Sequence, residues 1–319
     1  MVNTLYLAKR IFISILSVFI VASVVFGMTM ALPGSAANIV LGQRQTEESI
    51  AEVEQELGLD RPLHEQYIDF LTNTATLDFG DSLVSGESVM GLLLPALQRT
   101  LELALVAMLL SIVVAIPLGV ITAAKRDSFL DKMTLNISYV TVSVPSFVSA
   151  TILLLFFTSP PLDFFPSGGH EPFMQGPLTW LHHLILPAIA INFVVLTYVL
   201  RQTRSSMIET LESDYIRTAR LKGVSERNVL LRHALRNGLL PAVTVLALNF
   251  GWMMGAVVII EEIFTYPGIG RLIVRSISSR DLPVIQAAVL VPTVAFIFAN
   301  LLADIIYTLL DPRVSLGEK

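Results

Sequence analysis

Residues able to do chemistry are few in this 319-residue sequence and oddly placed. Cysteine is absent, which removes thiol nucleophiles, thiolate metal sites and disulfides and leaves the redox compartment undefined. No G-x-x-x-x-G-K-[ST] segment occurs, so the chain lacks a nucleotide phosphate cradle of its own. His170, Glu171, His182 and His183 could in principle meet a metal such as nickel. Adjacent histidines point apart on a helix, however, and no acid spacing completes a site, so no metal ligand is assigned. Glu102 and Asp304 fall at or inside apolar runs, where an acid is a functional candidate because burying it is costly. Asn300, one turn from Asp304, and Arg99, beside Glu102, offer structural partners instead. The largest concentration of charge is "DYIRTARLKGVSERNVLLRHALRNG", Asp214 to Gly238, with six of the chain's 21 Lys and Arg residues.

The elements that must position these groups are oily. Mean hydropathy is +0.70, and 15% of residues are charged, against about 25% in an average soluble domain. The apolar residues form runs near the roughly 20 residues that cross a bilayer as a helix. Six spans are expected: Ile11–Leu32, Leu101–Ala124, Met133–Thr158, Leu184–Leu200, Leu239–Ile260 and Val284–Leu310. The fold class is therefore an all-α integral membrane protein with six transmembrane helices. Pro117, Pro145, Pro187, Pro241 and Pro292 predict kinked helices packed in a bundle, where neighbours satisfy the freed backbone groups. The first run follows Lys9 and Arg10 and is too long for a signal h-region, so an uncleaved helix is expected.

Six spans place both termini on one side. With the turn near residue 128 and the loop 201–238, that side holds 15 of the 21 Lys and Arg residues. Arg44, Arg61, Arg99, Arg271, Arg275 and Arg280 are left for the other. The excess of positive charge predicts that both termini and the basic loop are cytoplasmic. Net charge is −5 and the sequence pI about 5.6, with 16 Arg and five Lys. A halophilic source, or coding bias together with one acidic outer segment, accounts for this.

That segment, residues 33–98, carries eleven acids and two bases. Thr46 can cap a helix with Ile50, Val53 and Leu57 on one face, and Gly58 can end it. Pro62 can start another with Leu63, Tyr67 and Leu71 on its apolar side. The reading is a small helical cap, with a solvated acidic spacer as the alternative. The chain thus divides into residues 1–98, first helix plus acidic external segment, and residues 99–319, a transmembrane core carrying the loop 201–238. No internal repeat is evident.

Within the basic loop, Met207, Leu211, Tyr215 and Ala219 fall four apart and predict one helix through about Leu221. Gly223 interrupts it. Ser225 can cap a second helix, with Glu226 in its first turn and Val229, Leu230, Ala234 and Leu235 on its apolar side. Topogenic charge alone needs no bend or paired helices. Binding to nucleic acid or anionic lipid is disfavoured, because Glu209, Glu212, Asp214 and Glu226 dilute the positive field. Docking of a short amphipathic helix into a groove on a soluble partner uses every feature.

At "RTARLKG" followed by "HALRNGLLPA" the sequence resembles the EAA loop of ATP-binding-cassette importer permeases, in the version of the peptide/nickel family. Arg217, Thr218 and Ala219 take the Glu-Ala-Ala positions and Gly223 the glycine, while Arg217 and Arg236 stand where the family pattern has acid and proline. "LGLDRPLHEQYIDFL" (Leu57–Leu71), "DFGDSL" (Asp78–Leu83), "SVPSF" (Ser143–Phe147), "EEIFTYPGIGRL" (Glu261–Leu272) and "DPRV" near the C-terminus resemble the family's B-type permease in the same order. The resemblance implies a type I importer permease fold in a prokaryotic plasma membrane and a non-catalytic role. It implies a second homologous permease, two ATPase subunits holding ATP and Mg, and an extracytoplasmic substrate-binding protein as partners, with no cofactor on this chain. The implied ATPase contact is Asp214, Tyr215, Arg217, Thr218, Ala219, Arg220, Leu221, Lys222, Gly223, Val224, Ser225, Arg227 and His233. Ala219 and Gly223 are small enough for close approach. Glu262, Phe264, Pro267, Gly268 and Gly270 form a candidate outer gate loop, with Pro267-Gly268 suited to a type II turn. The implied cargo is a di- or oligopeptide, with nickel or glutathione as alternatives. A proton- or ion-coupled carrier using Asp304 and Glu102 is the competing reading.

Overall fold

The computed structural model describes residues 4–31, 46–56 and 58–310. Among these the secondary structure is helical, apart from one isolated bridge between Asp81 and Ser88. Two compact units emerge: residues 1–97 with 272–319, and residues 98–271.

The first unit is built on α1 (Thr4–Met30) and α13 (Leu282–Leu310), which pack on each other, and it holds most of α12 (Ile269–Ser279). Between them in sequence lie α2 (Glu47–Glu56) and α3 (Leu63–Thr76). Thr46 caps α2 as expected: its Oγ1 accepts the Ser49 N–H at 3.2 Å, and the Ser49 hydroxyl oxygen accepts the Thr46 N–H at 3.0 Å. Gly58, at φ +65°, ends it, with the Leu59 N–H returning to the Glu54 carbonyl. Pro62 precedes α3. Tyr67 and Leu71 pack against Phe26 and Phe70, and the Tyr67 hydroxyl meets Ser23 Oγ at 2.6 Å. Leu63, expected on the same apolar side, is instead exposed, because the buried face is centred on Phe70. The side chains of Val53 and Leu57 lie outside the described residues. Asp281 is buried, accepting the Ser82 hydroxyl at 2.5 Å and the Leu83 N–H at 3.1 Å.

The second unit contains most of α4 (Val89–Ala124), then α5 (Phe129–Ser143), α6 (Ser146–Phe157), α7 (Pro177–Leu211), the basic element and α11 (Leu240–Ile263). α4 and α7 have 36 and 35 residues, about 54 and 52 Å at 1.5 Å per residue, well beyond a 30 Å hydrocarbon core. Both are longer than the spans expected for them, and α7 carries its spiral into the basic loop. Its buried side chains Leu184, Ile191, Val195 and Val199 pack with Met253, Val257 and Ile260 of α11, Leu103 and Ala107 of α4 and Ala150 of α6. Ser111 and Asn192 form a buried pair, and Asn192 Nδ2 donates to the Ala107 carbonyl at 2.7 Å. Gly119 lets α4 approach α7: a Cβ there would lie 2.7 Å from Thr203 Cβ.

Four described helices (residues 8–30 of α1, and α4, α7 and α11) are long and apolar enough to span a bilayer. The single helix expected over Met133–Thr158 is broken into α5 and α6, which meet at 103° and together make a fifth candidate span. Pro145 causes the break. It has no N–H to continue the ladder, and it drives Val144 to φ −93°, ψ 123°, out of the helical region. Pro241 sits at the start of α11 rather than inside it, while Pro187 and Pro292 lie within α7 and α13. α13 has 29 residues, of which Leu282–Ile297 form its described apolar part.

Candidate functional site

The basic loop is an ordered element whose root is α7. The single helix predicted from Met207 through Leu221 is interrupted at Glu212 and Ser213. The Ser213 N–H and hydroxyl both turn back to the Thr210 carbonyl, at 3.1 and 2.5 Å, closing α7. Ser213 then opens α8 (Asp214–Leu221), with Asp214 in the first turn where the helix dipole favours an acid. α8 ends in a full Schellman motif: the Gly223 N–H bonds the Arg220 carbonyl at 2.9 Å and the Val224 N–H bonds Ala219 at 3.2 Å. Gly223 has φ +79°, and a Cβ on it would meet nothing within 4 Å. Glycine is needed there for backbone conformation, not for space.

After the bend come α9 (Glu226–Asn228), a π-helical segment (Val229–Ala234) and α10 (Leu235–Gly238). Ser225 precedes α9 in extended conformation, as its cap role requires, although its side chain makes no capping hydrogen bond. Val229 and Ala234 are fully buried with Ile216 and Met207, against Val120 and Ala123 of α4. Leu230 and Leu235 pack on the same cluster. Ile216 was not legible in the four-residue spacing, because the break at Ser213 restarts the helical phase and turns Tyr215 outward. Gly238 is pressed on Met207, so a Cβ would strike Met207 Sδ. The bend is braced by Arg220, whose Nε meets Glu226 Oε1 at 2.8 Å and whose Nη1 donates to the Leu211 carbonyl at 3.2 Å. Asn237 Nδ2 donates to the Tyr215 hydroxyl at 3.0 Å.

The element therefore has two sides. Ala219 is buried and Val224 half-buried. Asp214, Tyr215, Arg217, Thr218, Lys222, Ser225, Arg227 and His233 are exposed. So is Leu221, whose relative exposure of 82% leaves a large apolar side chain in the open amid basic residues.

At the other end of the same unit, the candidate gate loop is organised by a residue that sequence reasoning passed over. Glu261 is fully buried. It accepts the Thr100 hydroxyl at 2.6 Å and the Gly270 N–H at 2.7 Å, and Thr100 Oγ1 in turn accepts the Ile269 N–H at 2.8 Å. Glu262, the acid named from sequence, is exposed, whereas Phe264, Gly268 and Gly270 are buried and Pro267 is half-buried. The expected type II turn is corrected. Gly268 is not among the residues of positive φ, and its N–H closes a tight three-residue turn on the Tyr266 carbonyl at 2.8 Å. Gly268 and Gly270 answer a steric demand instead: a Cβ on either would overlap Glu261 Oε1 or Val258 Cα. The Tyr266 hydroxyl donates to the Arg99 carbonyl at 3.0 Å, and burial raises its pKa above the ordinary phenol value.

Glu102 is held by three partners: Gln98 Nε2 at 2.8 Å, Trp180 Nε1 at 2.9 Å and His170 Nε2 at 3.1 Å. His182 and His183 turn to the carbonyls of Phe164 and Thr179. No group of three or more metal-ligating residues occurs among the described residues. The side chains of Asn300 and Asp304 lie outside the described residues.

A bundle of long apolar helices carrying a bent, ordered basic element defines a membrane component. Comparison with known proteins names the family. Residues 115–316 match the family described as binding-protein-dependent transport system inner membrane component, and residues 3–104 match the N-terminal region of such components. The chain belongs to this family. A protein of Brucella abortus bearing the name peptide transport system permease is 41% identical over 98% of this chain and 99% of its own length. One of Sinorhizobium fredii, named a peptide ABC transporter permease, is 36% identical over 97% of this chain and 98% of its own. The glutathione transport system permease GsiC of Salmonella typhimurium is likewise 36% identical, over 97% and 98%. The chain is thus the multi-pass, non-catalytic permease component of an importer that works with a binding protein.

Proposed function

We propose that this chain is half of the membrane path of an ATP-driven importer for di- or oligopeptides, paired with a second, similar permease and served by two ATPase subunits. The names of its relatives support peptide cargo, with glutathione, itself a tripeptide, as the nearest alternative. The charge asymmetry supports cytoplasmic termini and a cytoplasmic basic element. A sixth span is supplied by α13, whose 29-residue length is ample.

The observation that carries the proposal is the two-sidedness of the basic element. One side is cemented to α4 and α7 by Ile216, Val229 and Ala234. The other presents Leu221, almost wholly exposed, together with Arg217, Lys222 and Arg227. This suits seating in a cleft on an ATPase, so that closure of the ATPase pair pushes α8 and, through it, α7. ATP and Mg then belong to the ATPases, and cargo crosses between the two permeases by alternating access.

A mild-detergent pull-down of the tagged chain, beside a variant with Arg217–His233 replaced by a neutral linker, tests it. The native chain should bring down ATPases and a second permease, and the variant the second permease alone. A well-inserted native chain that comes down by itself would overturn the reading and bring the proton-coupled carrier forward.

A further inference from the structure

Where α7 meets the basic element it is gripped from the side by the turn between α4 and α5. Asp131, in the first turn of α5, is 2% exposed at its side chain and Arg204 of α7 18%. The two form a bidentate pair, Nε to Oδ1 at 2.6 Å and Nη2 to Oδ2 at 2.7 Å. Asp131 Oδ2 also accepts the Asp127 N–H at 2.9 Å, so the carboxylate fixes the turn as well as the helix. Arg204 stands two turns before the end of α7 at Leu211. A second pair, Arg126 with Glu212 at 2.6 Å, joins the same turn to the residue just past that end.

The grip continues along α5. Arg201 lies over the Tyr139 ring, 4.8 Å from its centre. The Thr197 and Thr141 hydroxyls meet at 2.9 Å, and Thr197 Oγ1 donates to the Ser138 carbonyl at 3.3 Å. Positions 197, 201 and 204 share one face of α7, so α5 is pinned to it at three levels. Beyond Ser143 the chain breaks at Val144 and Pro145 and turns by 103° into α6.

A part-buried ion pair is a poor device for stability alone, since exposed pairs contribute little and buried ones are usually matched by apolar side chains of similar volume. A planar bidentate fork fixes distance and orientation together. We propose that Asp131 and Arg204 are positioning residues that pass the displacement of the basic element sideways, from α7 to α5, making the turn between α4 and α5 a second arm of the coupling machinery. This rests on the coupling function proposed above. α5 and α7 then travel as one body.

The test uses the complete transporter, reconstituted in vesicles with its partner chains, and reads peptide moved per ATP hydrolysed. Asp131→Asn should keep the ATPases bound and hydrolysing while peptide per ATP falls about tenfold, within the usual range of coupling between sites. Arg204→Lys, which keeps the charge but loses the fork, should fall between Asp131→Asn and the unaltered chain. A pair that only clamps the fold would lower hydrolysis and uptake in parallel, and an unchanged ratio overturns the proposal. Should Asp131→Asn fail to assemble, a second arm decides. The chain has no cysteine, so Thr141→Cys with Thr197→Cys gives a clean, reversible cross-link between α5 and α7. The oxidised protein should transport as well as the reduced one. Uptake lost on oxidation and restored by reductant would mean that the helices slide, and the relay fails. If the unaltered chain binds no ATPase, it is the underlying coupling reading that has failed instead.

Discussion

Gly223 and Gly268 are both glycines at turns, yet they are glycines for opposite reasons. At Gly223 the backbone is left-handed and the space around a Cβ is empty. At Gly268 the backbone is ordinary and the space is taken by the Glu261 carboxylate and the Thr100 hydroxyl. Two predictions follow from that contrast. Gly268→Ala should destabilise by about 1–3 kcal/mol, the usual cost of overpacking, read as a lower thermal midpoint in detergent. Gly223→Ala should cost about 1 kcal/mol through backbone strain alone and leave the rest of the fold in place. Its signature should be less peptide transported per ATP at near-normal stability, because a shifted bend re-aims Leu221 and Arg227. The glycine of the basic loop was readable from sequence, since a helix stop followed by Ser-Glu is local information. The Glu261 cradle was not. It joins residues 161 positions apart through Thr100, and nothing in "EEIF" distinguishes the buried acid from its exposed neighbour Glu262.

Elements were legible where one rule acted and illegible where two competed. The apolar runs fixed the existence of the long helices, but not that α4 and α7 overshoot the bilayer, because their ends are amphipathic and packed by neighbours. Pro145 was visible and its effect underestimated: a proline can bend a span or end a helix, and here Val144 leaves the helical region and α5 ends. Likewise the Met207-to-Ala219 spacing read as one helix, and Ser213 broke it, since its hydroxyl and N–H both return to the Thr210 carbonyl and let α8 start afresh. The resulting faces of α8 make a prediction that belongs to the element. Leu221→Asp touches no interior and should change stability by no more than about 0.5 kcal/mol, while releasing the ATPases in a pull-down. Ile216→Asp puts a charge into the cluster with Met207 and Val229, and should unfold the element or the chain, read by proteolysis of the loop. If Leu221→Asp retained its ATPases, the exposed face would not be the docking face.

At the scale of the whole molecule, two energy sources compete for the same bundle, and they ask different things of its acids. A proton-coupled carrier must load and unload a carboxylate during each cycle. Glu102 is instead engaged by Gln98, Trp180 and His170 at once, a set of partners that holds a carboxylate in one place. An ATP-driven permease needs no titrating acid, only an element that moves when an ATPase closes, and the basic element fits that need. The discriminating prediction is therefore about driving force. In vesicles holding the assembled transporter, a protonophore should leave peptide uptake unchanged while ATP is held constant, and ATP depletion should abolish uptake with the proton gradient intact. Glu102→Gln should keep the external-pH dependence of the unaltered protein, whatever it costs in stability through the lost acceptor. Uptake that collapsed with the protonophore at constant ATP would assign the work to the proton gradient and leave the exposed face of α8 without a function.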